Sequence, residues 1–340
     1  MAMKEALLYQ KMTENRVRCQ LCAHYCPIAD GNRGICQVRE NRDGTLYSLV
    51  YGRTISQNID PIEKKPLYHF YPGSRACSIG TPGCNFRCDW CQNWEISQMP
   101  REQHFITGQE LFPAAIVAAA EKTASRSIAY TYTEPTIFFE YSYDTARLAH
   151  AAGIANVYVS NGYMSAEMLD LFHPWLDAAN IDLKTFRNET YRKYIGGTLQ
   201  PVLDSLKRIH DYGIWLEVTT LVIPGVNDDP QELQEIAEFI ATELGTDTPW
   251  HISRFFPQYK LQQTPPTPPD TLHRAEEIGR AAGLKYIYLG NLAGESNTTC
   301  PACGKILIQR SGFGISSNRV DHRGCCPACG EQIAGVGMMG

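Results

Sequence analysis

The cysteines constrain this chain most. Of its thirteen, all but Cys77 and Cys325 fall into three tight groups. The first is Cys19, Cys22, Cys26 and Cys36, the second Cys84, Cys88 and Cys91, the third Cys300, Cys303, Cys326 and Cys329. Short spacing keeps thiolates near one another whatever the rest of the chain does, and in a cytosolic enzyme such groups bind metal more often than they pair as disulfides. Three groups predict three metal sites.

The third group is two matching knuckles, Cys300-Pro-Ala-Cys303-Gly and Cys326-Pro-Ala-Cys329-Gly, with 22 residues between them. Two C-x2-C turns can close a tetrahedral four-thiolate site, the pattern of a zinc ribbon. Rubredoxin-like iron uses similar knuckles; zinc is the expected metal. The first group offers four ligands, Cys19-x2-Cys22-x3-Cys26-x9-Cys36, with Gly31 and Gly34 able to return the loop to a metal. Zinc is the simpler expectation there, and an auxiliary [4Fe–4S] cluster is its rival. His24 could replace one of these ligands and is otherwise expected to be exposed.

The middle group has the spacing C-x3-C-x2-C. Iron–sulfur clusters are normally held by four thiolates. Three thiolates on a four-iron cube leave one iron open, and an open position is what a metal needs to bind a substrate. The alternative is a zinc site with Cys77 as the fourth ligand, for which this spacing is less usual.

Between these groups, short β-branched runs alternate with helical stretches. Strands are predicted over 75–79, 127–132, 156–160, 178–183, 215–223 and 250–254, with one more allowed at 286–290. Helices are predicted over 108–123, 135–152, 166–173, 202–212, 231–244 and 272–282. Repeated βα units with apolar strands mean a parallel sheet, and about six of them fit an α/β fold of the partial (β/α)6 TIM-type barrel class, with small cysteine-rich metal modules at both ends. Such barrels place their chemistry at the C-terminal ends of the strands. The predicted organisation is a four-cysteine module over 1–50, the barrel over 51–296 and a zinc ribbon over 297–340.

A motif falls at the end of each of the first five predicted strands. The first runs into Gly83-Cys84-Asn-Phe-Arg-Cys88-Asp-Trp90-Cys91; the next end at Tyr132-Thr133-Glu134-Pro135, Ser160-Asn161-Gly162, Asp182-Leu183-Lys184 and Ile223-Pro224-Gly225. In this order the set resembles the radical SAM superfamily, and within it the pyruvate formate-lyase-activating enzyme group, over roughly residues 75–289. The segments 60–73, 91–98 and 19–26 are similar to the subgroup called AmmeMemoRadiSam-system enzymes. The resemblance implies a [4Fe–4S] cluster on Cys84, Cys88 and Cys91 that binds S-adenosylmethionine (SAM) through its open iron. It implies one-electron cleavage to methionine and a 5′-deoxyadenosyl radical, which takes a hydrogen atom from a substrate. By position, Thr133 and Glu134 would meet the SAM amino group and Lys184 its carboxylate. Asp182 would be a ribose or cation ligand, Asn161 would contact the ribose and Trp90 would line the adenine side. His251 and Arg254, on the sixth strand, either face the barrel interior, where His251 would meet SAM, or His251 is a satisfied structural histidine. Implied partners are an electron donor such as flavodoxin or ferredoxin, a protein substrate as for a glycyl-radical activase, or a Memo-like or AMMECR-type protein. The sequence departs from the activating-enzyme pattern where Tyr132 and Thr133 replace two glycines, where Val159 replaces an acidic residue, and near Thr219, where an arginine is usual.

Composition narrows the partners. A net charge of -5 announces no strongly basic surface for nucleic acid or anionic membrane, though it allows a local basic groove. No apolar run is long enough for a membrane span, and residues 1–5 lack the start of a signal peptide, so a cytoplasmic protein is expected. The competing substrates are the backbone glycine of a partner protein or another protein, nucleotide or RNA. A non-catalytic metal or redox module is the reading from a different class.

Overall fold

The computed structural model describes residues 3–339. Its frame is an eight-stranded sheet. In chain order the strands are β1 (Ser56–Pro61), β2 (Arg75–Gly80), β3 (Ser127–Tyr130), β4 (Ala155–Ser160), β5 (Ala178–Asp182), β6 (Trp215–Val222), β7 (Trp250–Arg254) and β8 (Ile287–Gly290). Their spatial order follows the chain, parallel from β2 to β8, with β1 antiparallel along the edge of β2. Helices α1 (Pro113–Lys122), α2 (Phe139–Ala151), α3 (Ala166–Phe172), α4 (Gln200–Asp211), α5 (Pro230–Phe239) and α6 (Pro269–Ala281) carry the chain from each parallel strand to the next. The architecture is the expected partial barrel, with the seventh parallel strand at its far edge and β1 added at the near one.

The strands read as continuous apolar runs because helices cover one face and the barrel interior the other. Ser127 to Tyr130 are all buried, as are Ala76 to Gly80. Ala76, Ala129, Val157 and Ala178 share a small cluster with Ile62, Leu67 and Phe70. Their small size on four adjacent strands leaves room for the segment before β2 to pack against the sheet. Further along, period-two alternation points Thr219 and Leu221, His251 and Ser253, and Tyr288 and Gly290 at an open cavity.

Two helix starts differ from expectation. Gln109–Glu110 pairs with Arg53–Thr54 instead of opening a helix at 108, and α1 begins with Pro113 in its first turn, where a missing N–H costs nothing. The last helix begins inside the proline-rich stretch, again with proline in its first turn, at Pro269.

The N-terminal residues form two small antiparallel sheets, Lys4–Glu5 with Thr45–Ser48 and Arg39–Arg42, and Tyr9–Lys11 with Val17–Cys19 and Pro27–Ile28. They are tied to α2 by a buried fork: Arg39 donates to both oxygens of Glu140 at 2.7 and 2.8 Å. At the other end, Thr298–Thr299, Ile306–Ser311 and Gly314–Asn318 form a three-stranded sheet. The tail beyond it bonds to the segment before β2, through Val336 N–H to the His69 carbonyl (2.8 Å) and Tyr71 N–H to the Val336 carbonyl (2.7 Å). Among the described residues, no helix is long and apolar enough to cross a membrane.

Candidate active site

A cavity of about 740 Å³ opens at the C-terminal ends of the parallel strands. Cys84, Cys88 and Cys91 line it, and so do all seven residues singled out for SAM: Trp90, Thr133, Glu134, Asn161, Asp182, Lys184 and His251. Cys77 does not; it is buried in the middle of β2, too far down the strand to complete a zinc site with the loop.

The cysteine loop is held from several sides. Arg87 N–H donates to the Ile195 carbonyl (2.8 Å) and Asp89 N–H to the Tyr194 carbonyl (3.0 Å). Gly197 is needed there, since a Cβ would fall 2.5 Å from the Phe86 ring. Asn161 donates to the Asn85 side chain at 2.7 Å and lies 3.9 Å from the Cys84 sulfur. Burial pushes the Cys84 thiol well up, helped by the charge of Glu134, and pushes Cys88 up to about 12. A metal group bound here must therefore displace protons.

Sulfur spacing separates the cysteine groups. Among the described residues, Cys300, Cys303, Cys326 and Cys329 are the one set of three or more ligands whose donor atoms all lie within 4.8 Å. Cys300 and Cys329 sulfurs are 3.5 Å apart, Cys303 and Cys326 sulfurs 3.7 Å. Thiolates about 2.3 Å from one tetrahedral ion stand ~3.8 Å apart, so this quartet fits a single metal ion. Both knuckles close in the same way, Gly304 N–H on the Cys300 carbonyl and Gly330 N–H on the Cys326 carbonyl, each 2.9 Å. Cys84, Cys88 and Cys91 share one cavity wall and do not form a quartet of this kind.

Glu134 is almost fully buried. One carboxylate oxygen accepts from Thr136 N–H (3.0 Å), the Thr136 hydroxyl (2.6 Å) and the Ser160 hydroxyl (2.7 Å), the other from Asn161 N–H (2.8 Å). It both caps the turn at Pro135 and ties β3 to β4. The second oxygen keeps a free lone pair beside Cys84. Thr133 donates its hydroxyl to the Thr81 carbonyl at 2.7 Å. Lys184 and Asp182 pair with each other at 2.8 Å, and against burial the Asp182 carboxylate raises the Lys184 ammonium.

His251 binds Glu217 at 2.6 Å. Glu217 is fully buried on β6 and also accepts the Tyr68 and His69 backbone N–H groups (3.0 and 2.8 Å) and Trp215 Nε1–H (3.0 Å). Burial alone would raise its carboxyl; these donors, His251 foremost, hold it low. Sequence reasoning missed Glu217, which sits inside an apolar strand, and Gly197, for which the run Gly196-Gly197 was a visible signal; it quoted Ser160 and Asn85 inside motifs without giving them a role. It also missed that Tyr132 keeps a left-handed backbone (φ 68°) in the place of a glycine, held by its hydroxyl on Asp60 (2.6 Å) and by Lys65 over its ring.

Contrary to expectation, His24 is half-buried, because it packs against the cysteine loop: its Nε2 lies 2.9 Å from the Asn85 carbonyl.

Comparison with known proteins agrees with this geometry. Residues 78–240 match the profile of the radical SAM superfamily. An uncharacterised protein of Methanocaldococcus jannaschii is 45% identical over 334 residues, 97% of this chain and 99% of that one. The pyruvate formate-lyase-activating enzyme of Listeria monocytogenes is 25% identical over 170 residues, 47% of this chain and 67% of the enzyme. In fold, the chain is similar to Streptococcus suis SuiB bound to S-adenosylmethionine, with TM-score 0.50, 11% identity, and coverage of 68% of this chain and 53% of SuiB. The motifs, the cavity at the strand ends and these matches together make the chain a member of the radical SAM superfamily.

Proposed function

We propose that this protein is a radical SAM enzyme of the activating-enzyme type, acting on a hydrogen atom of a partner protein. The observation that carries the reading is the convergence of three cysteine sulfurs with Glu134, Asn161 and Lys184 on one cavity at the strand ends. A [4Fe–4S] cluster on Cys84, Cys88 and Cys91, given one electron, would supply the reductive cleavage of SAM to methionine and a 5′-deoxyadenosyl radical.

The chain's own residues bind and orient. Glu134 offers its remaining lone pair to the SAM ammonium. Lys184, kept charged by Asp182, faces the carboxylate as a point charge. Asn161 holds the cysteine loop through Asn85 and would steady a cluster bound on that loop. Trp90, buried at the cavity wall, would line the adenine. His251 is fixed by Glu217 at the floor, which keeps its ring from turning away. Glu134, Asn161 and His251 are buried at the cavity wall, and SAM filling the cavity would displace the water beside them.

Residues 51–296 form the catalytic barrel in this reading, residues 1–50 and 297–340 two metal modules, the latter holding zinc. An electron donor of the flavodoxin or ferredoxin class supplies the reductant in the cytoplasm. The activase reading draws on the Listeria relative. It is tested by mixing the reduced, anaerobically reconstituted protein with SAM and a candidate partner. A persistent glycyl-radical doublet on the partner in electron paramagnetic resonance supports an activase; a mass change without the doublet replaces it with another protein modification.

A further inference from the structure

The two edges of the barrel sheet are finished differently. At the near edge β1 shields β2, and its own sequence, Ser56-Gln-Asn-Ile-Asp-Pro61, is mostly polar and ends in proline, a composition that resists further pairing. At the far edge β8 reads Ile287-Tyr-Leu-Gly290, with no charge and no proline, and among the described residues no strand pairs with its outer side. Trp250 N–H donates to the Tyr286 carbonyl (3.0 Å), which sets the alternation along the pair. Tyr286, Tyr288 and Gly290 turn their backbone groups toward β7, and Ile287 and Leu289 turn theirs outward. The Ser296 hydroxyl reaches the Leu289 carbonyl (3.3 Å), and among the described residues neither outward N–H has an acceptor.

Beside this edge lies a second cavity, of about 420 Å³. Residues 285–289 line it, together with α6 and residues 292–297. It meets the catalytic cavity at the end of β8, because Tyr288, Leu289, Leu292, Gly294 and Ser296 line both. A chain lying in it would pass from the outer edge of the sheet to the strand ends, where the cysteine loop stands. The free groups on that edge name the ligand chemistry. Two N–H groups two residues apart suit the carbonyls of an extended backbone, which returns an N–H to the Ile287 carbonyl between them.

We infer that the substrate polypeptide docks on β8 as an added strand, and that this docking leads the residue to be modified past Gly290 into the catalytic cavity. The inference rests on the proposed function for the polypeptide nature of the substrate. It adds where and in what conformation that polypeptide is held.

The test uses the full chain, anaerobically reconstituted and saturated with SAM. The probe is a library of short synthetic peptides, random except for a central glycine. Peptides retained on the immobilised protein are identified by mass spectrometry and returned singly for hydrogen exchange. The Ile287 and Leu289 amides should exchange severalfold more slowly with a retained peptide bound. Methylating alternate backbone nitrogens of that peptide, in the register that donates to β8, should abolish retention. Ile287→Pro removes an N–H that the sheet does not use, and should weaken binding severalfold, while Ile287→Ala keeps that N–H and should bind near the wild-type level. If Ile287→Pro does not fold, the exchange and methylation results decide. An empty library, a retained peptide that leaves both amides unprotected, or binding that survives methylation in both registers overturns the inference. So does protection of these amides that grows with protein concentration and no peptide, which assigns the edge to a second copy of this chain. None of these readouts needs SAM cleavage. A docked peptide without a radical sinks the activase reading alone, and a glycyl radical on a partner that leaves both amides unprotected sinks strand docking alone.

Discussion

Glu134→Gln exchanges one oxygen for an amide nitrogen and leaves the shape intact. The oxygen that accepts three hydrogen bonds, two from Thr136 and one from Ser160, must stay an acceptor. The new NH2 group then takes the other position, where it faces Asn161 N–H across 2.8 Å, donor against donor. Leaving that buried N–H unsatisfied costs about 1–3 kcal/mol. The charge-assisted bond to the SAM ammonium is lost as well, worth about 1.5–3 kcal/mol, or roughly 10- to 150-fold in affinity. Equilibrium dialysis of SAM against anaerobically reconstituted wild type and variant, matched for iron, reads this directly. We expect weaker SAM binding by at least about tenfold with the iron content preserved. Affinity within twofold of wild type would refute the role assigned to the second carboxylate oxygen.

Three further outcomes follow from the buried polar groups. Glu140→Gln leaves the Arg39 guanidinium buried without its ion partner and should destabilise the N-terminal module by about 3–5 kcal/mol, whereas Arg39→Met with Glu140→Gln should recover most of that loss; hydrogen exchange of residues 3–48 distinguishes them. His69 donates Nδ1–H to the Ala334 carbonyl and accepts from Tyr288 at Nε2, and burial lowers its imidazole to about 4. The unfolded chain therefore takes up a proton near pH 6.5 while the folded one stays neutral, so stability is full above that pH and falls from there toward about 4, by at most about 1.4 kcal/mol per unit. Guanidinium midpoints measured across this range should slope in wild type and slope less in His69→Gln. Cys300→Ser should release one metal ion per chain, read by a zinc-binding dye, without changing the iron–sulfur absorbance.

Much of the site was legible because it is local. The spacing from Cys84 to Cys91 and the short motifs at Glu134, Asn161 and Lys184 each sit at the end of one strand, and the parallel fold then brings strand ends together. The Cys300 to Cys329 knuckles were legible for the same reason. What escaped joins residues far apart in sequence. Glu217 binds His69, which in turn reaches Ala334, and no local pattern reports either contact. Strand β1 escaped because Ser56–Pro61 lies at an edge, where polar residues and a terminal proline are tolerated and periodicity fades. Tyr132 was read as a departure from a glycine pattern, yet its backbone keeps the glycine conformation, which only φ reveals. His24 was expected in solvent because the loop it packs on lies 61 residues away.

If the cavity at the strand ends cleaves SAM by one-electron reduction, the products report it. Anaerobically reconstituted protein is reduced with dithionite and given SAM, and methionine and 5′-deoxyadenosine are separated by chromatography. Equal amounts of the two are expected from wild type and none from Cys84→Ala, with the C-terminal metal retained in both. No 5′-deoxyadenosine from wild type carrying its full complement of iron, or undiminished product from Cys84→Ala, would contradict it.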